Sequence, residues 1–413
     1  MKKNKFSIAL LIATAFTTSL MVSCTKNDSG SSVAGASKQV DNLDTISGFV
    51  KGTFLTSKTY HITGDITVKA TDSLVAQAGA NVIVENHAKI VVQGSLKIIG
   101  TSANPVVFNS KENTPGTWGG FQCDSAKAVT IKWAKLINTG GPDASGGTTK
   151  TLFVNAPINV DLEDSWILNG QDDIIRTQNG AKLTILRNTI ISSGSTDGEA
   201  INIKSGCTGT VAYNVVFSQA GTGIKLETSA TVPFPQTKID VYNNTVVAGG
   251  WRRGLAEPGR CVSIGVGAKA NIYNNISVNN YQGLEIFLDA DSSVLLTHGN
   301  NLFYASQTNY VIADTTAGKS DTINLASNFY PGDGMGKAVS SDKIGVNPMF
   351  TSFNNDFLLQ NGATTTDVFT LALGSPAIGA GNTTFTPFTP FPVGVAPNKD
   401  LGAYPSDGSG NKH

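Results

Sequence analysis

The chain has no surplus of charge: Lys+Arg and Asp+Glu each number 30 in 413 residues, and the formal net charge is zero. That balance removes the basis for nucleic-acid recognition or for a polybasic grip on lipid headgroups. Cysteine is scarce. Beyond Cys24 only Cys123, Cys207 and Cys261 remain, an odd set without metal-ligand spacing. A disulfide framework is excluded, at most one bridge is left open, and buried unpaired thiols are the expected state. The four histidines are scattered at 61, 87, 298 and 413, which gives a zinc site no support. Methionines are few and no segment carries helical periodicity, while 44 glycines punctuate short β-branched stretches. The composition is that of an all-β chain rich in turns. Its one long apolar run, Phe6 to Leu20, is too short to span a bilayer comfortably.

What is present is a repeat. "RNTIIS" at Asn188, "YNVVFS" at Asn214, "NNTVVA" at Asn244, "NNISVN" at Asn275 and "NNLFYA" at Asn301 follow one another at spacings of 26, 30, 31 and 26 residues. The frame extends back to Asp164 and Ala134. A turn residue followed by a short apolar strand, at this period, specifies the coil of a solenoid. The expected fold is all-β: a single-stranded right-handed parallel β-helix of about ten coils, roughly 50 Å long at ~4.8 Å per coil, with N- and C-terminal caps. Asn suits the bend because it tolerates the left-handed region and its amide bonds the coils above and below.

The domain plan follows. Residues 1–23 are a signal segment, 24–43 a polar Ser- and Gly-rich tether, and 44–314 the solenoid. Residues 315–405 are C-terminal coils and cap, and 406–413 a disordered tail. In the N-terminal coils, alternation turns Leu74, Val82, Val84, Ile90, Val92, Leu96 and Ile98 inward. Two strands per coil are expected farther on. The second series, from "DIIRT" (173–177) to "YVIAD" (310–314), aligns Ile174, Ile201, Ile224, Val262, Leu284 and Val311 in one interior stack. Ile175, Asn202, Lys225, Ser263, Glu285 and Ile312 then form an outward column, with Thr177, Lys204, Glu227, Gly265 and Phe287 in the next.

Several segments resemble known families. "LMVSC", ending at Cys24 after Lys2, Lys3, Lys5 and the apolar run, resembles the lipobox of bacterial lipoproteins. The resemblance implies lipidation of Cys24 and an anchored protein outside the cytoplasm, on the outer membrane or cell surface. Gly79, "GTSANPVVF" (100–108) and "GTWGG" (116–120) resemble the first coils of exported bacterial right-handed β-helix proteins, and "SPAIGAG" (375–381) resembles their C-terminal signature. The chain is thus similar to the pectate-lyase-like superfamily, which implies a polysaccharide partner. "GQDDII", with Asp172 and Asp173, resembles the paired aspartates of polygalacturonases, and "TDG" at Asp197 and Gly198 another of their motifs. The order is reversed here, and that family's histidine and arginine-lysine motifs are missing.

Fold resemblance licenses no reaction, so the residues must supply one. Two adjacent insertions, "TSATVPFPQT" (228–237) and "AGGWRRGLAEPGR" (248–260), are placed to wall a groove. A glycan site is expected at Trp251, Arg252, Arg253, Lys225, Glu227, Asn202 and Glu285: indole against sugar CH faces, forked donors to hydroxyls or carboxylates. The catalytic candidates are Asp172, Asp173, Lys225 and Arg253, an incomplete set for a lyase or hydrolase. No cofactor is expected, calcium at Asp172, Asp173, Asp197 and Glu199 being the sole candidate. Three functions compete: a glycan-binding lipoprotein, a polysaccharide lyase or glycoside hydrolase acting on uronate-containing glycan, and a structural or adhesive solenoid.

Overall fold

A computed structural model describes residues 35–194, 198–228, 235–253, 258–314, 319–353 and 368–413. Cys24, Asp197, Glu257 and the signal segment lie outside them. The described chain winds as a right-handed parallel β-helix without α-helix, with 30 strands in one continuous sheet. Each regular coil contributes three strands, not two. In one coil these are Lys182–Leu186, Thr189–Ser192 and Ile201–Lys204. The next coil places Thr208–Ala212, Val215–Phe217 and Ile224–Glu227 directly on them, in parallel.

Alternation explains the core. Leu74, Val82, Val84, Ile90, Val92, Leu96 and Ile98 are all buried. Tyr60, Phe108, Trp118 and Phe121 fill the early coils, with ring centroids of Phe108 and Phe121 5.3 Å apart. Cys123, Cys207 and Cys261 are buried and unpaired, and burial pushes each thiol up. The first coil is covered by Val40–Asn42, whose Asp41 carboxylate accepts from the Thr53 N–H at 2.7 Å.

The asparagine column is continuous. Asn188, Asn214, Asn244, Asn275 and Asn301 are buried, and each of the first four donates both its backbone N–H and its side-chain amide to the next Oδ1, at 2.9–3.0 Å. Ser165 N donates to Asn188 Oδ1 at 3.1 Å below, and Asp342 Oδ1 accepts from Asn301 N at 2.9 Å above. Ser165, not Asp164, therefore holds the frame. The left-handed conformation also sits one residue earlier than expected: Trp133, Asp164, Arg187, Tyr213, Asn243, Asn274 and Asn300 have φ between 49° and 62°. The column asparagines supply the hydrogen bonds, and their predecessors supply the bend.

The register differs from expectation at one coil. Ile175, not Ile174, pairs with Ile201, so Arg176 heads the outward column and Thr177 turns inward. Val311 leaves the stack altogether. Its strand, Asn309–Asp314, forms an antiparallel hairpin with Lys319–Asn324. Residues 368–413 then return along the solenoid. Phe369, Ala377, Leu401 and Ala403 cover the outward Val215, Phe217, Ile276 and Val278, so these strands are buried on both faces. Residues 406–413 lie along the wall instead of forming a free tail: Asn411 Nδ2 donates to Asn188 O, and the His413 ring stacks on Trp166 at 3.8 Å.

Candidate functional site

The third strand of each coil builds one outward ladder: Val91, Gln122, Phe153, Arg176, Asn202, Lys225, Ser263 and Glu285. Strand alternation sends these side chains off the core, and rungs lie ~4.8 Å apart. The far end is covered. Gly283 N and Leu284 N donate to Asn328 O and Phe329 O, and Met335 N to Ile286 O, so 328–335 lies over the last rung. Glu285 is buried there on Arg260, with burial and Asp333 raising its pKa against that cation.

Near the middle of the ladder two carboxyl groups meet. Asp173 and Glu199, 3% and 5% exposed, share the Asn202 amide, whose Nδ2 donates at 3.0 and 3.2 Å. Glu199 N also donates to Asp173 Oδ1 at 2.9 Å. Burial, then the neighbouring Asp173, pushes the Glu199 carboxyl up to about 8. Asp173 is held below its ordinary value. Burial opposes this, but hydrogen bonds from Glu199 and the charges of Lys150 and Arg176 outweigh it. One proton thus belongs to the pair and resides on Glu199. Around it stand Arg253 (Nη1 to Glu199 Oε1, 2.9 Å), Lys225 (3.7 Å) and Arg176 (3.4 Å to Asp173). Lys225 Nζ also lies 3.3 Å from Glu227, which Lys204 approaches at 2.8 Å. Gly198 allows this packing: at φ 99°, a Cβ there would meet Asp172 O at 2.0 Å.

Toward the N-terminal coils the ladder opens into a cavity of about 520 Å³. Its floor is Val91, Gln122, Phe153 and Arg176, and its wall is the loop at 138–151. Asp143 shapes that loop, accepting from Ser145 N at 3.0 Å, Ser145 Oγ at 2.6 Å and Gly147 N at 2.9 Å. It also receives Lys89 Nζ at 2.5 Å, and this cation chiefly holds its carboxyl well below the usual range. Lys150 pairs with Asp172 across the cavity edge.

The expected glycan residues separate into two groups. Arg253, Lys225, Glu227 and Asn202 come together with Asp173, and Glu285 lies two rungs from Lys225. Arg253 reaches Glu199, which Lys225 also faces, while residues 254–257 lie outside the described residues. Trp251 and Arg252 face inward instead. The indole is 2% exposed, donates to Asn279 O at 2.9 Å and packs on Tyr281 and Tyr310. Its apolar area is worth more against those rings than in water. The Arg252 guanidinium staples the loop to Gly194 O at 2.7 Å and to Ser218 O at 2.6 Å, and burial lowers its pKa to about 10. Lys89, Phe153, Arg176 and the Asp143 loop were missed. The signal for the loop was the lengthened, glycine-rich coil after Ala134. Among the described residues no group of His, Cys, Asp or Glu is placed to hold a metal. Asp173 and Glu199 face cations and an amide instead, while Asp197 lies outside the described residues.

A pectate-lyase-like β-helix domain model matches residues 47–136, the coils that form the cavity's N-terminal side. The described chain has the parallel β-helix fold of which that domain is one example. Such a domain fits a carbohydrate-related extracellular role. No curated protein and no solved structure matches the chain. Among the described residues no helix is long and apolar enough to cross a membrane.

Proposed function

We propose that this β-helix protein is a glycan-binding lipoprotein, anchored outside the cytoplasm through Cys24, with its ligand along the outward ladder from Gln122 to Lys225. The observation that carries the reading is the ladder itself. It is a run of aromatic, amide and charged side chains, open from Gln122 to Arg176 and buried at Asn202, walled by a loop on one side and closed at its far end. Rigid strands hold these groups at fixed spacing, which limits the entropy lost when an extended chain binds. The test is a polysaccharide panel titrated with the full chain and with Lys225→Ala and Gln122→Ala. Binding that weakens in both variants supports the ladder, and binding unchanged in both removes it. The anchor is tested separately: Cys24→Ala should move the protein from membranes to the soluble fraction, and unchanged retention would refute lipidation.

One observation favours hydrolysis or elimination as a second reading. Glu199 keeps a proton at neutral pH, as a general acid must. Asp173 touches it too closely to stand across a glycosidic bond, so the opposing carboxylate would be Glu227, which shares Lys225 with it. Reducing ends or unsaturated product lost in Glu199→Gln would make the protein an enzyme.

A further inference from the structure

The cavity at the N-terminal end of the ladder has a charge pattern of its own. Each cation there already faces a carboxylate: Lys89 meets Asp143 at 2.5 Å, Arg176 meets Asp173 at 3.4 Å, and Lys150 meets Asp172. Asp124, exposed at the rim, adds one more negative charge. A uronate or sulfate entering here would meet cations whose charge is already neutralised while lying against Asp143 and Asp124. That costs more than it returns. A neutral polyol meets no such conflict. Its hydroxyls accept from the free N–H directions of Lys89, Lys150 and Arg176 and donate to the carboxylates of Asp143 and Asp124, which line the cavity. Phe153, half-buried between Gln122 and Arg176 on the floor, presents an aromatic face of the kind that packs on the CH side of a pyranose ring. The volume of about 520 Å³ lies within the ~300–1,000 Å³ range of small-molecule sites.

We infer that this cavity is a subsite for a neutral pyranose, one or two sugar units long, and that it selects against acidic sugars. The inference rests on the glycan-binding reading and sharpens it to a ligand class. Affinity here comes from stacking and from paired hydroxyl bonds, not from net charge, so it is insensitive to salt.

Calorimetry on the full chain with neutral oligosaccharides (gluco-, xylo- and manno-configured) and with oligogalacturonate tests it, each at low and at high salt. The expected result is binding of a neutral oligosaccharide with the same affinity at both salt concentrations. Phe153→Ala should weaken it about tenfold, the loss that ~1.4 kcal/mol of stacking predicts. Thr148→Trp at the exposed rim fills the cavity without touching the core, and should abolish binding. Preference for oligogalacturonate with affinity falling as salt rises would overturn the neutral subsite while leaving the groove reading intact. Neutral binding untouched by Thr148→Trp would place the sugar elsewhere and also overturn it. No heat with any neutral sugar overturns it outright, and if oligogalacturonate is silent as well, the groove reading falls with it.

Discussion

Asn274 donates its side-chain amide to Asn243 Oδ1 at 3.3 Å, one coil below, and both then hold the returning C-terminal segment. Asn243 Nδ2 reaches Asp400 O at 2.7 Å, and Asn274 Nδ2 reaches Asn382 O at 2.9 Å. Asn300, one coil higher, gives its amide to Ala380 O at 2.9 Å. These are the left-handed corner residues. Asn serves both needs at once, since it tolerates positive φ and carries an amide long enough to reach a passing carbonyl.

Asn243→Ala should therefore cost in two ways, through lost hydrogen bonds to Asp400 O and from Asn398 N, and because alanine tolerates φ 52° less well than asparagine does. Urea unfolding should show a loss of roughly 2–4 kcal/mol. Asn243→Gly removes the same amide but relieves the backbone, and should recover about 1 kcal/mol of that loss. Protease should cut residues 381–413 sooner in both variants. Wild-type stability in Asn243→Ala would mean that the corner does not hold the strap.

Inside the solenoid the cost is larger per residue. Asn244 accepts two bonds from Asn214 and donates to Asn275 and to Val211 O. Asn244→Ala leaves a backbone N–H and two amides short of partners in a dry column, so a loss of roughly 3–5 kcal/mol is expected in chemical denaturation. Asn188→Ala, nearer the start of the column, should behave alike. A change below about 1 kcal/mol in either would show that the column is not a source of stability.

The architecture was legible in the sequence because two of its signals are local. The alternation of Leu74, Val82, Val84, Ile90 and Val92 states which face is buried, and the recurring asparagine states where coils repeat. Register was less secure at "DIIRT", where Ile174 and Ile175 are both apolar and both buried, so either fits an inward slot and a one-residue slip follows. Consecutive apolar residues such as Val215–Phe217 announce a second covering layer, but its residues, Phe369 to Ala403, lie over 150 positions away. The cavity was illegible for the same reason. Lys89, Gln122, Phe153 and Arg176 come from four successive coils, Asp143 from the loop before Phe153, and they become neighbours only once the register is known. Trp251 misled because an aromatic beside arginines reads alike whether it faces a ligand or the core.

Trp251 consequently supports stability first. Trp251→Ala removes an indole packed on Tyr281 and Tyr310 and orphans the Asn279 carbonyl, and should destabilise by about 3–5 kcal/mol. Trp251→Phe keeps most of the packing, loses the hydrogen bond and should cost less than half as much. Glycan affinity measured on the folded fraction of Trp251→Phe should match wild type. A tenfold loss there, with stability intact, would return the indole to the ligand site.

The Asp173–Glu199 pair sets a pH dependence with a definite sign. A free glutamate titrates near 4.5, whereas Glu199 in the folded chain is pushed up to about 8 by burial and by Asp173. Between those values the folded state binds more protons than the unfolded state. The stability this proton confers is present in full below 4.5 and is lost as pH rises through 8. Asp173, held below its ordinary value, acts oppositely: its contribution is lost as acid protonates it. Melting temperature should therefore fall between pH 6 and pH 9. In Glu199→Gln the amide cannot ionise but still donates toward Asp173 and accepts from Arg253, so the alkaline fall should flatten while stability at pH 6 changes little. Melting curves at half-unit pH steps for both proteins decide the matter. An alkaline limb of equal slope in Glu199→Gln would show that the titrating proton sits on another group.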